Sequence, residues 1–314
     1  MTEARRALGL AELPQIGPAV ITLGVFDGVH LGHRAILAAT RAAAAELGVP
    51  SVALVLDPPP DELLRPGTQV PRLAPPAVNL SRIEALGIDH ALPICFDEAL
   101  RELEAEAFLG ALAPAIVVRG LAMSRRSAFG RNREGTAERM EAIGAAHGVT
   151  VTVVEPIEVD GGIVSSSRIR AAVSAGDVAA ALRLGVAPYL VGTVVSGDHR
   201  GRELGFPTAN LRLEYLPAMP ALGIYAGRVS PAVRGASEGQ PSLISIGTRP
   251  TFHDRGEVLA EVHLLDWDGD LYGAQLGVEL VARLRDERRF DGVESLVEQM
   301  RRDAEMGRAV LGMS

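Results

Sequence analysis

The hydrophobic pattern of this 314-residue chain changes its period near residues 183–188. Strand-like apolar runs precede that point, at residues 19–23, 52–56, 115–118 and 149–154. Alanine-rich segments with helical periodicity, such as 33–47, separate these runs. A strand followed by a helix and a second strand predicts a parallel pair joined by a right-handed crossover. The first half therefore predicts a doubly wound α/β sheet.

The second half consists of short alternating runs, which lie at residues 189–195, 224–229, 243–246, 258–265 and 276–283. The turns between them are rich in glycine, proline and aspartate, and Asp268-Gly269 is a hairpin signal. Closely spaced strands of this kind predict a small antiparallel β-barrel. We therefore expect two domains, an α/β domain at 1–186 and a barrel domain at 187–314.

A helix is expected at the C-terminal end of the barrel domain. Asp291 is a candidate N-cap, because Glu294 follows three residues later. The apolar face predicted for this helix consists of Val293, Leu296, Val297 and Met300.

Charge and cysteine content exclude several classes of protein. The net charge of −8 argues against a nucleic-acid binder, which needs a basic face. The single cysteine, Cys95, excludes an internal disulfide and fits a reducing cytoplasm. No apolar stretch reaches the roughly 18 residues that span a bilayer, and the N-terminal segment has no secretory signal pattern. We expect a cytoplasmic protein without nucleic-acid or membrane partners; the sequence indicates no oligomeric state.

All 31 basic residues are arginines, because the chain contains no lysine. This excludes a Walker A loop, the lysine-dependent site of protein kinases and Schiff-base chemistry. If the chain transfers phosphate, it must use arginines, backbone N–H groups, helix N-termini and a metal ion.

The segment 24–33 follows the first predicted strand and opens the first predicted helix. Its glycines permit a close backbone approach, and a helix N-terminus offers N–H groups and positive potential to a phosphate. His30 and His33 flank this point, so two imidazoles could donate to phosphoryl oxygens. The alternative is a glycine-rich turn with two surface histidines, but a histidine pair at a helix start favours a site. The candidate nucleotide-binding residues are Gly24, Phe26, Asp27 and Gly28, and the catalytic candidates are His30 and His33.

A second motif, at 165–170, also precedes a helical segment. Ser166 and Ser167 could cap the helix, and Arg168 could hold a triphosphate through two guanidinium arms. Taken alone, this motif is better explained as a serine-rich N-cap with solvated arginines.

The most informative segment is 197–210. Its glycines predict a loop whose backbone can wrap a nucleotide, and Pro207 stiffens the exit from that loop. Thr208 and Asn210 lie on one side of an extended segment, and their oxygens suit Mg²⁺. The alternative is an ordinary glycine-rich hairpin. The candidate nucleotide-binding residues are Gly197, Gly201, Arg202, Gly205, Phe206, Pro207, Thr208 and Asn210, the last two also being candidate metal ligands.

These motifs carry two resemblances. The histidine signature together with the motif at 165–170 resembles the HxGH nucleotidyltransferase superfamily. It resembles more closely the adenylyltransferase half of bacterial bifunctional riboflavin kinase/FAD synthetases. That resemblance implies an HxGH nucleotidyltransferase domain that transfers AMP from ATP to FMN, giving FAD and pyrophosphate.

The second half is similar to riboflavin kinases, with the signature matched throughout 201–210. Further similar segments lie at 223–225, 246–252, 261–263, 270–273, 285–287 and 290. The resemblance implies a barrel domain that phosphorylates riboflavin to FMN with ATP and Mg²⁺. It implies that Thr208 and Asn210 hold Mg²⁺ and the ATP phosphates, and that Glu261 accepts the proton of the ribityl 5′-hydroxyl. Arg285 and Tyr272 are the implied flavin contacts; the alternative for Arg285 is a solvent-exposed arginine at a strand end rich in Arg and Glu.

The first half departs from its family pattern. Pro59 stands where the family has a histidine, so any contact made by that imidazole is lost. The segment after Gly120 loses an acidic or amide residue and gains Arg125 and Arg126, and a later aspartate is Thr136. The expected enzyme makes FMN and FAD. The alternatives are a riboflavin kinase whose first domain is silent or uses another nucleotide, and a flavin- or nucleotide-binding sensor without turnover.

Overall fold

A computed structural model of the chain describes residues 5–196, 206–231, 239–248, 258–267 and 269–313. Contacts divide the chain into two compact units. The first contains Met1–Val70 and Pro76–Ser166, and the second contains Pro71–Pro75 and Ser167–Ser314. The sequence placed the domain boundary after residue 186, whereas the contacts assign the residues between 167 and 186 to the second unit.

In the described part of the first unit, five parallel strands form a sheet in the order β3-β2-β1-β4-β5. The strands are β1 (Gly17–Gly24), β2 (Ser51–Asp57), β3 (His90–Cys95), β4 (Ile116–Ser124) and β5 (Thr150–Val154). The predicted doubly wound sheet is confirmed. Strand β3 was not predicted from the sequence, because Pro93 interrupts its apolar run. A proline is tolerated there because β3 is an edge strand of this sheet.

Helices cover both faces of this sheet. They are α1 (Leu31–Leu47), α2 (Pro60–Leu64), α3 (Pro76–Ala85), α4 (Glu98–Glu102), α5 (Ala105–Leu112) and α6 (Ala137–His147). On one face, Leu54 belongs to an apolar cluster with Phe108 of α5 and Met140 of α6. On the other face, Ala53 belongs to a cluster with Leu37 of α1. A small hairpin, β6 (Glu158–Val159) and β7 (Gly162–Ile163), completes the unit.

The second unit contains a closed antiparallel barrel. Two helices precede it, α7 (Ser166–Ser174) and α8 (Val178–Arg183). Its strands are β8 (Tyr189–Val195), β9 (Ala209–Leu213), β10 (Gly223–Pro231), β11 (Gln240–Thr248), β12 (Val258–Leu264) and β13 (Gln275–Arg285). They pair in the order β10-β11-β12-β9-β8-β13, and β13 pairs with β10 to close the barrel. The predicted small antiparallel barrel is therefore confirmed.

The C-terminal helix, α9 (Val293–Leu311), begins one residue later than predicted. Asp291 is not the N-cap; Gly292 occupies that position, and the Ser295 hydroxyl donates to its carbonyl oxygen at 2.9 Å. The predicted apolar face is wrong at Val293, which is 57% exposed. The buried apolar positions lie in the second half of the helix, where Gly307 permits a close approach: a Cβ there would stand 2.6 Å from a methyl carbon of Leu243.

A buried ion pair attaches α9 to β13. The Arg285 Nε and Nη2 atoms donate to the two carboxylate oxygens of Asp303 at 2.9 and 2.7 Å. The Asp303 side chain is 3% exposed and that of Arg285 is 15% exposed. Gln299 donates a further hydrogen bond to Asp303 at 2.9 Å. None of the helices in the described ranges is long and apolar enough to cross a membrane.

Replacing Asp303 by alanine should destabilise the second unit strongly, because the Arg285 guanidinium would be left with no carboxylate in a poorly solvated position. The expected loss is about 3–5 kcal/mol. Urea unfolding followed by the fluorescence of Trp267, the only tryptophan of the chain, measures it.

The matched control is Arg302→Ala. Its ion pair with Glu298 is exposed on both sides and spans one turn of the same helix, so its removal should change stability little. Equal losses for Asp303→Ala and Arg302→Ala would contradict the structural role of the buried pair.

Candidate active sites

The first candidate site lies at the carboxyl end of β1, between the two neighbouring strands β2 and β4. In open α/β sheets, ligands bind outside the carboxyl ends of the strands where the strand order reverses. The chain leaves β1 through a tight turn in which Phe26 (φ 50°), Gly28 (φ 78°) and Val29 (φ 49°) adopt left-handed conformations. A β-branched residue such as valine rarely adopts this conformation, so the surrounding structure must hold the turn in place.

Asn79 of α3 provides that support, and the sequence analysis missed it. Its Oδ1 accepts from the Gly28 N–H at 3.1 Å, and its Nδ2 donates to Asp27 Oδ1 at 3.5 Å. Both Asn79 and Asp27 are buried. No signal in the sequence identified it, because its partners Gly28 and Asp27 are more than fifty residues away in the chain.

The two histidines of the motif stand together at the start of α1. Their rings are stacked, with centroids 3.6 Å apart and an interplanar angle of 16°. His30 is the N-cap, and its Nδ1 accepts from the His33 backbone N–H at 3.3 Å. The edge of the Phe26 ring meets His33, with centroids 5.1 Å apart. The predicted pairing of the two imidazoles at a helix N-terminus is present in the structure.

The environment keeps His33 neutral. Burial, and then the neighbouring His30, hold the pKa of His33 well below its ordinary value of about 6.5. A neutral imidazole still has one N–H donor. His33 can therefore act on an anionic ligand as a hydrogen-bond donor.

The serine motif is only partly tested by these contacts. Ser166 begins α7, and its hydroxyl donates to the backbone oxygen of Asp27 at 3.3 Å. This hydrogen bond places Ser166 beside the turn that joins β1 to His30. Ser167 and Arg168 belong to the second unit by their contacts. Their role in binding a triphosphate stays a prediction.

Two departures from the family pattern have structural explanations. Thr136, which stands in place of an aspartate, is the N-cap of α6 and accepts from the Arg139 N–H at 3.3 Å, a role that both residue types perform. Arg125 pairs with Glu155 at 3.0 Å and with Glu138 at 3.6 Å on the surface. Pro59 is buried at the N-cap position of α2 and offers no side-chain donor.

The second candidate site lies on the outer face of the barrel. Strand register places Asn210 of β9 directly opposite Glu261 of β12, and Ser245 of β11 on the other side of Glu261. The neighbours of Glu261 along β12, Ala260 and Val262, are in the barrel core, so its carboxylate points outward. Thr208 lies two residues before Asn210. The predicted base and one predicted metal ligand are therefore cross-strand neighbours.

Asn210, Glu261 and Ser245 thus form a row across three strands. A cavity of about 400 Å³ lies beside this row in the second unit. Its lining includes Phe206, Pro207, His263, Trp267, Arg301 and Arg308. His263 bonds the Pro207 carbonyl oxygen through Nδ1 at 2.8 Å, and its ring centroid is 5.3 Å from that of Phe206. The sequence analysis did not single out His263, although its alternation with Glu261 places both on one face of β12.

Other predicted residues of the barrel have separate positions. Arg285 is neither solvent-exposed nor free, because Asp303 and the carbonyl oxygen of Asp286 occupy its three nitrogens. Tyr272 is 54% exposed, and its N–H donates to Asp270 Oδ1 at 2.9 Å. Four predicted nucleotide-binding residues lie outside the described residues: Gly197, Gly201, Arg202 and Gly205. Asp268 lies outside them too, and the hairpin predicted at Asp268-Gly269 is wrong, because β12 and β13 do not pair with each other.

Magnesium would find few protein ligands at this site. Within the described ranges, no group of three or more His, Cys, Asp or Glu side chains could hold a metal ion. The hydroxyl of Thr208 and the amide oxygen of Asn210 are hard oxygen donors in one region, next to the Glu261 carboxylate. Such a set fits an ion that retains waters and binds substrate phosphates.

Comparison with known proteins gives a consistent result for both units. One family model, for FAD synthetases, matches residues 13–168, and another, for riboflavin kinases, matches residues 184–311. The chain is 38% identical over 303 residues to a bifunctional riboflavin kinase/FMN adenylyltransferase of Pseudomonas fluorescens, covering 96% of each chain. It is 34% identical to the protein of the same name from Escherichia coli strain K12, covering 97% of this chain and 96% of that one.

A solved structure matches nearly the full length as well. It is a crystal structure named as a macrolide-efflux protein from Streptococcus pneumoniae, with a TM-score of 0.86 and 30% sequence identity. The match covers 96% of this chain and 97% of the other.

The lowered pKa of His33 predicts a pH dependence of stability. In the unfolded chain this histidine takes up a proton below about pH 6.5, whereas in the folded chain it stays neutral to lower pH. The unfolded state therefore binds more protons below that pH, and the contribution of His33 to stability falls as the pH is lowered. Wild-type protein should lose more stability between pH 7.5 and 5.5 than His33→Gln.

Thermal unfolding followed by far-UV circular dichroism measures this difference. All other titrating groups are common to the two proteins, so the comparison isolates His33. Equal losses in the two proteins would show that His33 is solvated in the folded state.

Proposed function

This chain belongs to the family of bifunctional riboflavin kinase/FMN adenylyltransferases, and we propose how its two units divide the two reactions. The second unit phosphorylates riboflavin to FMN with ATP. The first unit transfers AMP from ATP to FMN and yields FAD and pyrophosphate. The observation that carries the kinase assignment is the placement of Glu261 directly opposite Asn210 on the outer face of the barrel.

In the kinase reaction, Glu261 accepts the proton of the ribityl 5′-hydroxyl while that oxygen attacks the γ-phosphorus of ATP. The bond to the β-γ bridging oxygen breaks, and ADP leaves. Thr208 and Asn210 would hold Mg²⁺ and position the ATP phosphates for attack by the hydroxyl. Bound Mg²⁺ neutralises the charge of the phosphate oxygens. Transfer of this kind needs mainly alignment and charge neutralisation, which a carboxylate and a metal ion supply without lysine.

The cavity of the second unit that Phe206 and Pro207 line is the candidate binding site for the nucleoside part of ATP. Phe206 and Pro207 line it and immediately precede Thr208 in the chain, so a nucleotide there would direct its phosphates toward Thr208 and Asn210. Phe206 and Trp267 provide apolar surface for a base. The volume of about 400 Å³ is in the range of ordinary ligand pockets.

In the adenylyl transfer, a phosphate oxygen of FMN attacks the α-phosphorus of ATP, and pyrophosphate leaves. The N-terminus of α1 offers backbone N–H groups and positive potential to the phosphates. His30 uses Nδ1 as an acceptor in its cap, so its neutral ring carries the hydrogen on Nε2 and can donate to a phosphate oxygen. Neutral donors held in a fixed place stabilise charge as it develops in the transition state.

Replacing Glu261 by glutamine should slow FMN formation at least about a hundredfold, because the amide cannot accept the proton. Riboflavin, ATP and Mg²⁺ are incubated with the full chain, and riboflavin, FMN and FAD are separated by chromatography. Wild type should give FMN first and FAD afterwards.

The matched control for this variant is Glu279→Gln, which changes a half-buried carboxylate on β13 of the same barrel. Its FMN formation should equal that of wild type. Wild-type protein that makes no FMN would overturn the proposal. Unchanged turnover of Glu261→Gln would remove Glu261 as the base.

Replacing His30 by asparagine should lower FAD formation from supplied FMN about a hundredfold. Asparagine is a good N-cap, so the helix start is retained while the imidazole donor is removed. FMN formation from riboflavin by the same variant is the internal control and should be unchanged. FMN that accumulates in wild type with no FAD would show a silent first unit and would make Pro59 the first residue to replace by histidine.

A further inference from the structure

Two buried polar atoms of the first unit have no hydrogen-bond partner in the described structure: the Thr22 hydroxyl oxygen and Nδ1 of His33. Thr22 is 1% exposed, so its hydroxyl has no access to bulk solvent. An unpaired buried polar group destabilises the folded state. Groups of this kind call for a physical explanation, and here two of them occur near one active site.

Thr22 and His33 face the same layer between the sheet and α1. Thr22 of β1 is paired in register with Ala53 of β2, which belongs to the apolar cluster containing Phe26 and Leu37. The side chain of Thr22 therefore lies on the face of the sheet that α1 covers. His33 is half-buried and stands one helical turn before Leu37, on the helix face that carries the buried residues Leu37, Thr40 and Ala44.

The start of α1 places His33 at the height of Thr22 along β1. A helix that follows a parallel strand runs back along it, so its first turn lies near the carboxyl end of that strand. Thr22 is two residues from the end of β1, and His33 is in the first turn of α1. The Phe26 ring, which meets His33 edge-on, also covers Gly24, where a Cβ would be 3.2 Å from the ring.

The two histidines differ in one chemical respect. The Nδ1 atom of His30 is held by the backbone N–H of His33, and this sets the hydrogen of His30 on Nε2. No equivalent donor holds Nδ1 of His33 among the described residues. A histidine whose second nitrogen has no partner can carry its hydrogen on either nitrogen, and only one of the two tautomers offers Nε2–H.

We propose that Thr22 is a positioning residue for His33: its hydroxyl turns to donate to Nδ1 and sets the hydrogen of His33 on Nε2. Both histidines then present Nε2–H donors to the phosphates of ATP. The proposed hydrogen bond gives each of these two unsatisfied atoms a partner. This role rests on the proposed adenylyl transfer by the first unit.

The tautomer of His33 in the full chain is the direct test. Protein labelled with ¹⁵N-histidine is studied by NMR with and without the ATP analogue α,β-methylene-ATP and Mg²⁺, and His33→Gln assigns the signal. In wild type with the analogue, we expect Nδ1 of His33 to be an acceptor and Nε2 to carry the hydrogen. The opposite tautomer would overturn the proposal.

Substitution at residue 22 separates the hydroxyl from the shape of the side chain. Thr22→Val keeps the shape, and we expect a mixture of His33 tautomers and FAD formation about tenfold slower, mainly in kcat. Thr22→Ser restores the hydroxyl and should restore both properties. Thr40→Val is the matched control, because Thr40 is buried on the same helix face and its hydroxyl already donates to Ile36.

FMN formation by the barrel should be unchanged in all three variants and reports that the second unit is intact, while far-UV circular dichroism of each variant reports on the folding of the first unit. A His33 signal in Thr22→Val identical to that of wild type would overturn the role of Thr22. If wild type made no FAD, the proposed adenylyl transfer would fail, while the tautomer measurement would still decide whether Thr22 holds His33.

Discussion

The closure of the barrel is the constraint on which the kinase site depends. Six strands that pair into a closed cylinder leave room inside only for apolar side chains, here Leu190, Tyr225, Ile244 and Val262 among others. Because side chains alternate along a strand, every polar residue between two core positions must point outward. Glu261 and Asn210 are such residues, and the register of β9 and β12 makes them neighbours. The same geometry that fills the core therefore places Glu261 and Asn210 side by side on the surface.

The site of the first unit depends on a strained turn that another part of the unit stabilises. Left-handed conformations at Phe26 and Val29 are unfavourable by themselves, and the buried hydrogen bonds of Asn79 to Gly28 and Asp27 hold the turn in place. The turn places His30 where it caps α1 and stacks on His33. Local strain here is compensated by a residue of another helix, so the loop and its support are one structural element.

The absence of lysine fits both sites. Neutral imidazoles, a helix N-terminus and a carboxylate with a metal ion can all act on phosphate without an ammonium group. Arginines instead form ion pairs that connect elements of the fold: Arg285 pairs with Asp303 of α9, and Arg308 pairs with Asp266. The planar guanidinium binds both oxygens of a carboxylate, and this suits the buried pair between β13 and α9.

The sequence by itself determined the two architectures, because strand and helix periods depend only on neighbouring residues. The sequence also identified the histidine signature and the site candidates Glu261, Thr208 and Asn210. It could do so because a motif consists of residues that are neighbours in the chain. Tertiary structure alone decided which distant groups meet. Asn79 under the histidine turn, Ser245 beside Glu261 and the pairing of Arg285 with Asp303 all join residues of different elements. The predicted cap at Asp291 failed because the local pattern does not decide which of two neighbouring residues starts the helix: α9 begins after Gly292. The close packing of Gly307 against Leu243 likewise joins residues of different elements.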